Sequence, residues 1–240
     1  LRVKRLVVAA SVLLVALLAA IAIAVHLLIP RWLAPTLAAS VKAGTGRELS
    51  FGEVAATLWP RPALVLSQVR FGNAAWGSQP WLAQVGRATA ELDALALLSG
   101  QLRIRHVTVS DASVLLETAA DGAGNWMTGS AEAGKPAWPA ALQIDEITLQ
   151  TITLSYRDGR TGKATSAQLD SARIAAARAS GAIDLSARAT FNGKSVEVAG
   201  TIGTLTALIA NTAFPVDLEA KVGAASVKLR GSVGKPRDLG

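Results

Sequence analysis

The sequence predicts a mainly β protein with one N-terminal transmembrane α-helix. Its strands form a long twisted antiparallel sheet curled into an open apolar groove, with a closed β-sandwich as the alternative arrangement. Three observations carry this. Residues 6–29 form an uncharged apolar run. Residues 102–116, LRIRHVTVSDASVLL, recur forty positions later as residues 142–156, LQIDEITLQTITLSY, and both alternate at the period of a strand. Beyond the second copy the chain is a succession of alternating segments separated by turn residues.

The totals agree. Apolar residues make up 51% of the 240 and the mean hydropathy is +0.38, while charged residues are only 17%, so a membrane segment is expected. The net charge is +7, but apart from Arg2, Lys4 and Arg5 the lysines and arginines are scattered. No basic stripe interleaved with aromatics exists, and no nucleic-acid partner is expected. The absence of cysteine excludes disulfides and thiolate metal sites.

As a helix, residues 6–29 span about 36 Å, longer than the ~30 Å hydrocarbon core of a bilayer. Arg2, Lys4 and Arg5 precede the run, so the positive-inside tendency leaves the N-terminus cytoplasmic and the rest exported. Pro30 ends it, and Arg31-Trp32 supply an interfacial cation and an indole. Ala22-Ile23-Ala24 has the shape of a signal-peptide cleavage site. The apolar sequence continues past it through 25–29, beyond an h-region of roughly 7–15 residues, so a retained anchor is the expectation. His26 has no polar partner within the run and is read as reaching toward the headgroups.

Leu33, Leu37 and Val41 recur at i, i+4 and i+8, which predicts a short amphipathic helix within 30–46 stopped at Gly44 or Gly46. Alternating segments follow from 47–51 to 64–71. Between them, Trp59-Pro60-Arg61-Pro62 marks a turn or an edge, because neither proline can donate to a ladder. Residues 73–81 read as a loop holding Trp76 and Trp81, and 85–97 alternate again up to Leu98-Ser99-Gly100.

The repeat carries a second message in its phase. Leu102 and Ile104 share one parity and Val107 and Val109 the other; in the second copy the break falls between Ile144 and Ile147. The phase changes again before Val114 and Leu116, at Asp111, and before Ile152, Leu154 and Tyr156, at Gln150-Thr151. The predicted unit is strand, bulge, strand, bend, strand, with one face apolar throughout.

Residues 119–141, rich in small and polar residues, connect the copies, and Asp158-Gly159 predicts a turn. Asn192-Gly193 is the strongest hairpin signal, joining 183–191, apolar at every odd position, to 196–202. A further pair, 216–222 and 227–233, turns at Gly223, and 205–210 read as a short helix or crossover. One face of these strands collects Ala, Ser, Gly and Thr, the other Val, Ile and Leu, with no evident helix to cover it. Beside a membrane anchor, the natural filler of such a face is an acyl chain, at about 0.8 kcal/mol per buried methylene. The groove candidates are Ile104, Val107, Val109, Val114, Leu116, Ile144, Ile147, Leu149 and Leu154.

Taken in order, several features resemble the N-terminal region of the AsmA family. They are the basic-flanked single span, Thr45-Gly46-Arg47, Trp59-Pro60, Leu98-Ser99-Gly100 before LRIRHVTVSDASVLLE, Gly124-Asn125-Trp126 and Phe214-Pro215-Val216-Asp217-Leu218. The resemblance implies an inner-membrane-anchored periplasmic protein with a taco-shaped repeating β-groove akin to chorein-type bridge proteins. It further implies a role in moving phospholipid between membranes or in outer-membrane assembly. The expected organisation is a cytoplasmic basic tail over 1–5, the transmembrane helix over 6–29, the juxtamembrane helix over 30–46 and a periplasmic groove domain over 47–240. Because family members are usually longer, the chain is expected to be part of a longer one. The expected partners are phospholipid acyl chains, the inner membrane, and outer-membrane or periplasmic proteins.

No enzyme is expected, and no cofactor. The exported His106 sits between arginine-bearing strand positions with Asp111 as the nearest carboxylate, and no G-x-S-x-G elbow is present. Asp145-Glu146 is read as a solvated face or bulge. Asp121-Gly122-Ala123-Gly124-Asn125 lacks the acidic spacing of a calcium loop. In a second reading the chain is a tethered scaffold for outer-membrane protein assembly, with Trp76, Trp81, Trp126 and Trp138 in loops as contact residues.

Overall fold

The computed structural model describes residues 29–99, 101, 103–127, 143–176, 181–204, 207 and 212–234. The apolar run over 6–28, Trp138 and nearly all of 205–210 lie outside the described residues. Among the described residues no helix is long and apolar enough to cross a membrane.

Helix α1 (Ile29–Thr45) follows the spacing of Leu33, Leu37 and Val41 and contains Pro35. It stops where Gly46, at φ 70°, donates its N–H to the Lys42 carbonyl at 2.8 Å, a left-handed glycine cap. The strands are β1 (Leu49–Ser50), β2 (Glu53–Thr57), β3 (Ala63–Gly72), β4 (Trp81–Leu92), β5 (Arg103–Glu117), β6 (Gln143–Arg157), β7 (Ala164–Ala176), β8 (Ala182–Phe191), β9 (Lys194–Thr204), β10 (Phe214–Val222) and β11 (Ala225–Val233). They form one 11-stranded sheet in chain order from β3 to β11, with β1 and β2 both on the outer side of β3. Among the described residues the sheet is open: β11 pairs only with β10, and neither sandwich nor barrel closes it.

The expectation of a wholly antiparallel sheet fails at one place. β5 and β6, the two repeat copies, pair in parallel, and every pair is offset by the same forty residues from Arg103↔Gln143 to Glu117↔Arg157. The connection over 118–142 is long enough for the crossover that a parallel pair requires. Parallel pairing also sets each phase change beside its own copy, whereas an antiparallel arrangement would reverse their order along the partner.

Both phase changes are backbone features. The first is a bulge. Arg105 is passed over between the pairs Leu92↔Ile104 and Glu91↔His106, as Asp145 is in β6. The second is a crease crossing the sheet. Gln68, Gly86, Asp111 and Thr151 are each passed over by the ladders at one level, and Asp170 continues the line in β7. Gln68, Asp111 and Thr151 have φ of 51°, 56° and 56°, a left-handed excursion that turns the following residues over. At Gly86 a Cβ would stand 2.9 Å from that of Asp111, so the crease is too tight there for a side chain.

Strand β8 carries no such break, so Ile183, Leu185, Ala187, Ala189 and Phe191 share one face by simple alternation. Ala187 lies beside Ala172 and Ala189 beside Leu169, on opposite sides of the crease in β7. These two continue to Leu149 and Val109 and to Ile152 and Ala112 respectively. The crease therefore keeps one face apolar on both sides. Alanines mostly fall on this face between larger side chains, instead of on the opposite face as the composition suggested, and Ala56, Ala112 and Ala172 are buried there.

Three further expectations are corrected. The alternation of 85–97 ends at Leu92, and α2 (Ala94–Leu98) follows. Asp93 Oδ1 caps it, accepting the N–H of Leu95 and Ala96 at 3.0 and 3.1 Å. Trp81 opens β4 opposite Gly72 and is not a loop residue. The carboxylate nearest His106 is that of Glu146 on the adjacent strand, 3.6 Å from Nδ1, while Nε2 lies 2.9 Å from Thr148 Oγ1.

Candidate functional site

The sheet is built from strands whose alternation separates two faces of opposite character. On one, Ile104 lies beside Ile144, Val107 beside Ile147, Val109 beside Leu149, Val114 beside Leu154 and Leu116 beside Tyr156. The path through β8 joins the rows on either side of the crease. Leu92 alternates with Ala90 and Ala88 along β4 and pairs with Ile104, which joins the row beyond the bulge. All nine predicted groove residues thus share one face, which stays apolar from Val54 in β2 through Leu66, Val109, Leu149 and Val198 to Val227 in β11. Across nine strand spacings this is roughly 45 Å.

This face is uncovered among the described residues. The main packing beyond ladder neighbours is α1 against β1 and β2. Eight of the nine candidates are half-buried and Leu154 is exposed. Toward β11 the exposure rises, to 58% for Leu229 and 68% for Val227. Apolar surface of this extent is costly to leave in water.

The opposite face carries Thr89, Thr108, Thr148 and Arg173 in one row and Ser67, Arg87, Ser110, Gln150 and Ser171 in the next. Cross-strand ion pairs cover it: Arg103–Asp145 at 2.9 Å, Arg188–Glu197 and Arg230–Asp217 at 2.8 Å, and Arg173–Glu146, with His106 Nδ1 3.6 Å from the same Glu146 carboxylate. The Arg173 guanidinium holds the Glu146 carboxyl below the usual carboxylate range. Exposed pairs of this kind contribute little stability one by one; they keep the face wet and oppose register slippage.

At the end of β5 lies a buried polar staple that sequence reasoning missed. Glu117 and Asn125 are buried, Asn125 completely. Asn125 Oδ1 accepts the Glu117 N–H at 2.8 Å, and its Nδ2 donates to Asn73 Oδ1 and the Leu115 carbonyl at 2.9 and 2.8 Å. The Glu117 carboxylate accepts from Asn73 Nδ2 and the Ser78 N–H, both at 3.0 Å, and from the Ser78 hydroxyl, with Arg157 at 3.7 Å. Burial pushes this carboxyl up, but these hydrogen bonds and the guanidinium outweigh it and hold it below the usual range. The staple ties the β3–β4 loop and the segment after β5 to the sheet. It occupies Asn125, the last residue of the glycine-rich stretch that bore a passing likeness to a calcium loop. Asn-Trp after Gly124 was the only sequence trace of it.

Among the described residues no group of three or more His, Asp or Glu side chains is placed to hold a metal ion. Trp76 and Trp126 sit in loops at the staple end, each about half exposed. The apolar face is therefore the feature through which the described residues offer an extended surface to a ligand. Its rows present mostly Val, Ile, Leu and Ala.

No curated protein matches the chain in sequence. A family model does, that of the AsmA family, over residues 2–216. The match covers most of the chain, from the basic N-terminus through the creased sheet into β10, and the chain belongs to the AsmA family.

Proposed function

We propose that this chain is a non-catalytic, inner-membrane-anchored periplasmic protein whose apolar sheet face binds or conducts phospholipid acyl chains for outer-membrane biogenesis. Residues 6–29 would be the single span, with the N-terminus cytoplasmic. The observation that carries the reading is the uncovered apolar face, continuous across β2 to β11, backed by a polar, ion-paired one. Membership of the AsmA family supports it. Acyl chains lying along these rows would be held by dispersion and burial, at about 0.8 kcal/mol per methylene, with their headgroups left in water. The rival reading, a tethered scaffold with a dry core, calls for a covered face, and the open face weighs against it.

The test places charge on adjacent strands of the face. Val109→Asp and Leu149→Asp are purified from detergent extracts, and co-purifying phospholipid is quantified per chain. A several-fold loss of lipid with native far-ultraviolet circular dichroism is expected. Unchanged lipid in a folded double variant would sink the assignment.

A further inference from the structure

We infer that the corner of the sheet formed by the β2–β3 turn and α2 docks into the surface of the bilayer that holds residues 6–29, with Trp59 and Leu95 as the inserting side chains. This rests on the anchored reading above. Trp59 is 88% exposed and Leu95 78%, the largest exposures among the described bulky apolar residues, and Leu58 beside Trp59 is exposed as well. They belong to one corner. The Leu92 N–H donates to the Pro62 carbonyl at 2.8 Å, tying the turn to the end of β4, and the Asp93 cap sets Leu95 one residue into α2.

Helix α1 brings Ile29, where the uncharged run ends, toward this corner. It reverses after Gly46, and α1 packs on β1 and β2, running back along that edge. From Thr45 back to Ile29 the helix rises about 24 Å; from Leu49 to Thr57 the strands advance about 26 Å. A helix laid along that edge brings Ile29, the last residue of the uncharged run, level with Thr57, next to Leu58 and Trp59. An indole on a tight turn beside an aliphatic side chain suits the headgroup boundary, where its ring is buried and its N–H stays wet. Of the cations on the strand ends of this corner, Arg61 and Arg103 are engaged by Glu91 and Asp145 and Arg105 lies near Asp93, so the inserting contact of Trp59 and Leu95 is apolar. The exposed Trp76, Trp126 and Met127 lie at the opposite ends of the strands, about 45 Å away along β5.

The chain has no cysteine, so Trp59→Cys and Leu95→Cys each accept one environment-sensitive fluorophore and leave the other tip native. Lys194→Cys, at the opposite strand ends, is the comparator. The full chain is reconstituted into phosphatidylcholine vesicles containing doxyl-labelled lipid. Emission at 59 and 95 is expected to shift to the blue and to be quenched by shallow doxyl lipid several-fold more than at 194, at low and high salt alike. If the chain floats with the vesicles but iodide quenches 59 and 95 as readily as 194, the docking is overturned and the anchor stands. A chain that does not float overturns both. Doxyl quenching at 194 instead of at 59 and 95 overturns the assigned corner.

Discussion

Asp111 and Thr151 stand side by side on parallel strands, each at φ 56° and each passed over by a ladder that pairs Ser110 with Gln150 and then Ala112 with Ile152. A left-handed conformation costs a non-glycine residue roughly 1–2 kcal/mol, and more for a β-branched one. Glycine would relieve that cost at an entropic loss of about 0.5–1 kcal/mol. Thr151→Gly is therefore expected to leave stability unchanged or raise it by up to ~1 kcal/mol. Deleting Thr151 is expected to be severe, because Ile152, Leu154 and Tyr156 would exchange faces with Thr153 and Ser155. Urea unfolding of both variants checks this, and a tolerated deletion would contradict the role of the crease.

The staple predicts a contrast at one residue. Asn125→Ala strands the Glu117 N–H and the Leu115 carbonyl, at a cost of about 2–3 kcal/mol. Asn125→Asp keeps the shape but replaces two donors by acceptors that face Asn73 Oδ1 and the Leu115 carbonyl. It is expected to cost more than the alanine. Equal denaturation midpoints for the two variants would argue against the assigned hydrogen bonds.

Among the described residues four carboxyls are held below their ordinary values. Glu117 is held by its hydrogen bonds against burial, Glu146 by Arg173, Asp93 by the N–H groups of Ala96 and Leu95, and Asp158 by those of Arg160 and Thr161. A depressed folded-state value means that the stabilisation is present above the unfolded carboxylate range of about 3.9–4.3 and is lost as pH falls through the folded values. Stability is expected to be flat from neutral pH to about 5 and to fall below about 4. Glu117→Gln should be less stable at neutral pH and show a shallower acid loss. A stability that rises below pH 4 is the contrary result.

Adjacent residues of β6 test the two faces against each other. Thr153→Asp adds charge to the polar face and is expected to change stability by no more than about 0.5 kcal/mol, with bound lipid unchanged. Leu154→Asp places the same charge one residue away on the apolar face, and bound phospholipid should drop several-fold. Similar lipid content in the two variants would remove the distinction between the faces.

Among the described residues β11 pairs on one side only, with Val227 and Leu229 exposed, the kind of edge that pairs with another chain. Leu229→Lys is expected to reduce concentration-dependent self-association by light scattering while leaving the unfolding midpoint nearly unchanged. Scattering that persists undiminished would place the association elsewhere.

Much of this architecture was legible where pattern and turn chemistry agreed. The parity slips of the repeat are the bulge at Arg105 and Asp145 and the crease at Asp111 and Thr151. Asn192-Gly193, at φ 50° and 72°, turns β8 into β9 as its chemistry requires. Strand β7 was not legible. Its Ala, Ser, Gln and Asp have weak strand preference, and it exists because β6 and β8 offer ladders on both sides. The 94–98 segment alternated like a strand but forms α2, since Ala and Leu favour a helix once Asp93 caps it.

By itself the sequence determined which residues of each strand are apolar, where the phase changes and where the tight turns fall, because these depend on neighbours within a few positions. Only the tertiary structure decided the direction of the β5–β6 pair, the alignment of separate phase changes into one crease, and the burial of Glu117 with Asn125. Each of these joins residues that sequence periodicity does not relate in direction or distance: a crossover sets the strand direction, ladder registry aligns the crease, and two loops must meet before a carboxylate can be buried with its donors.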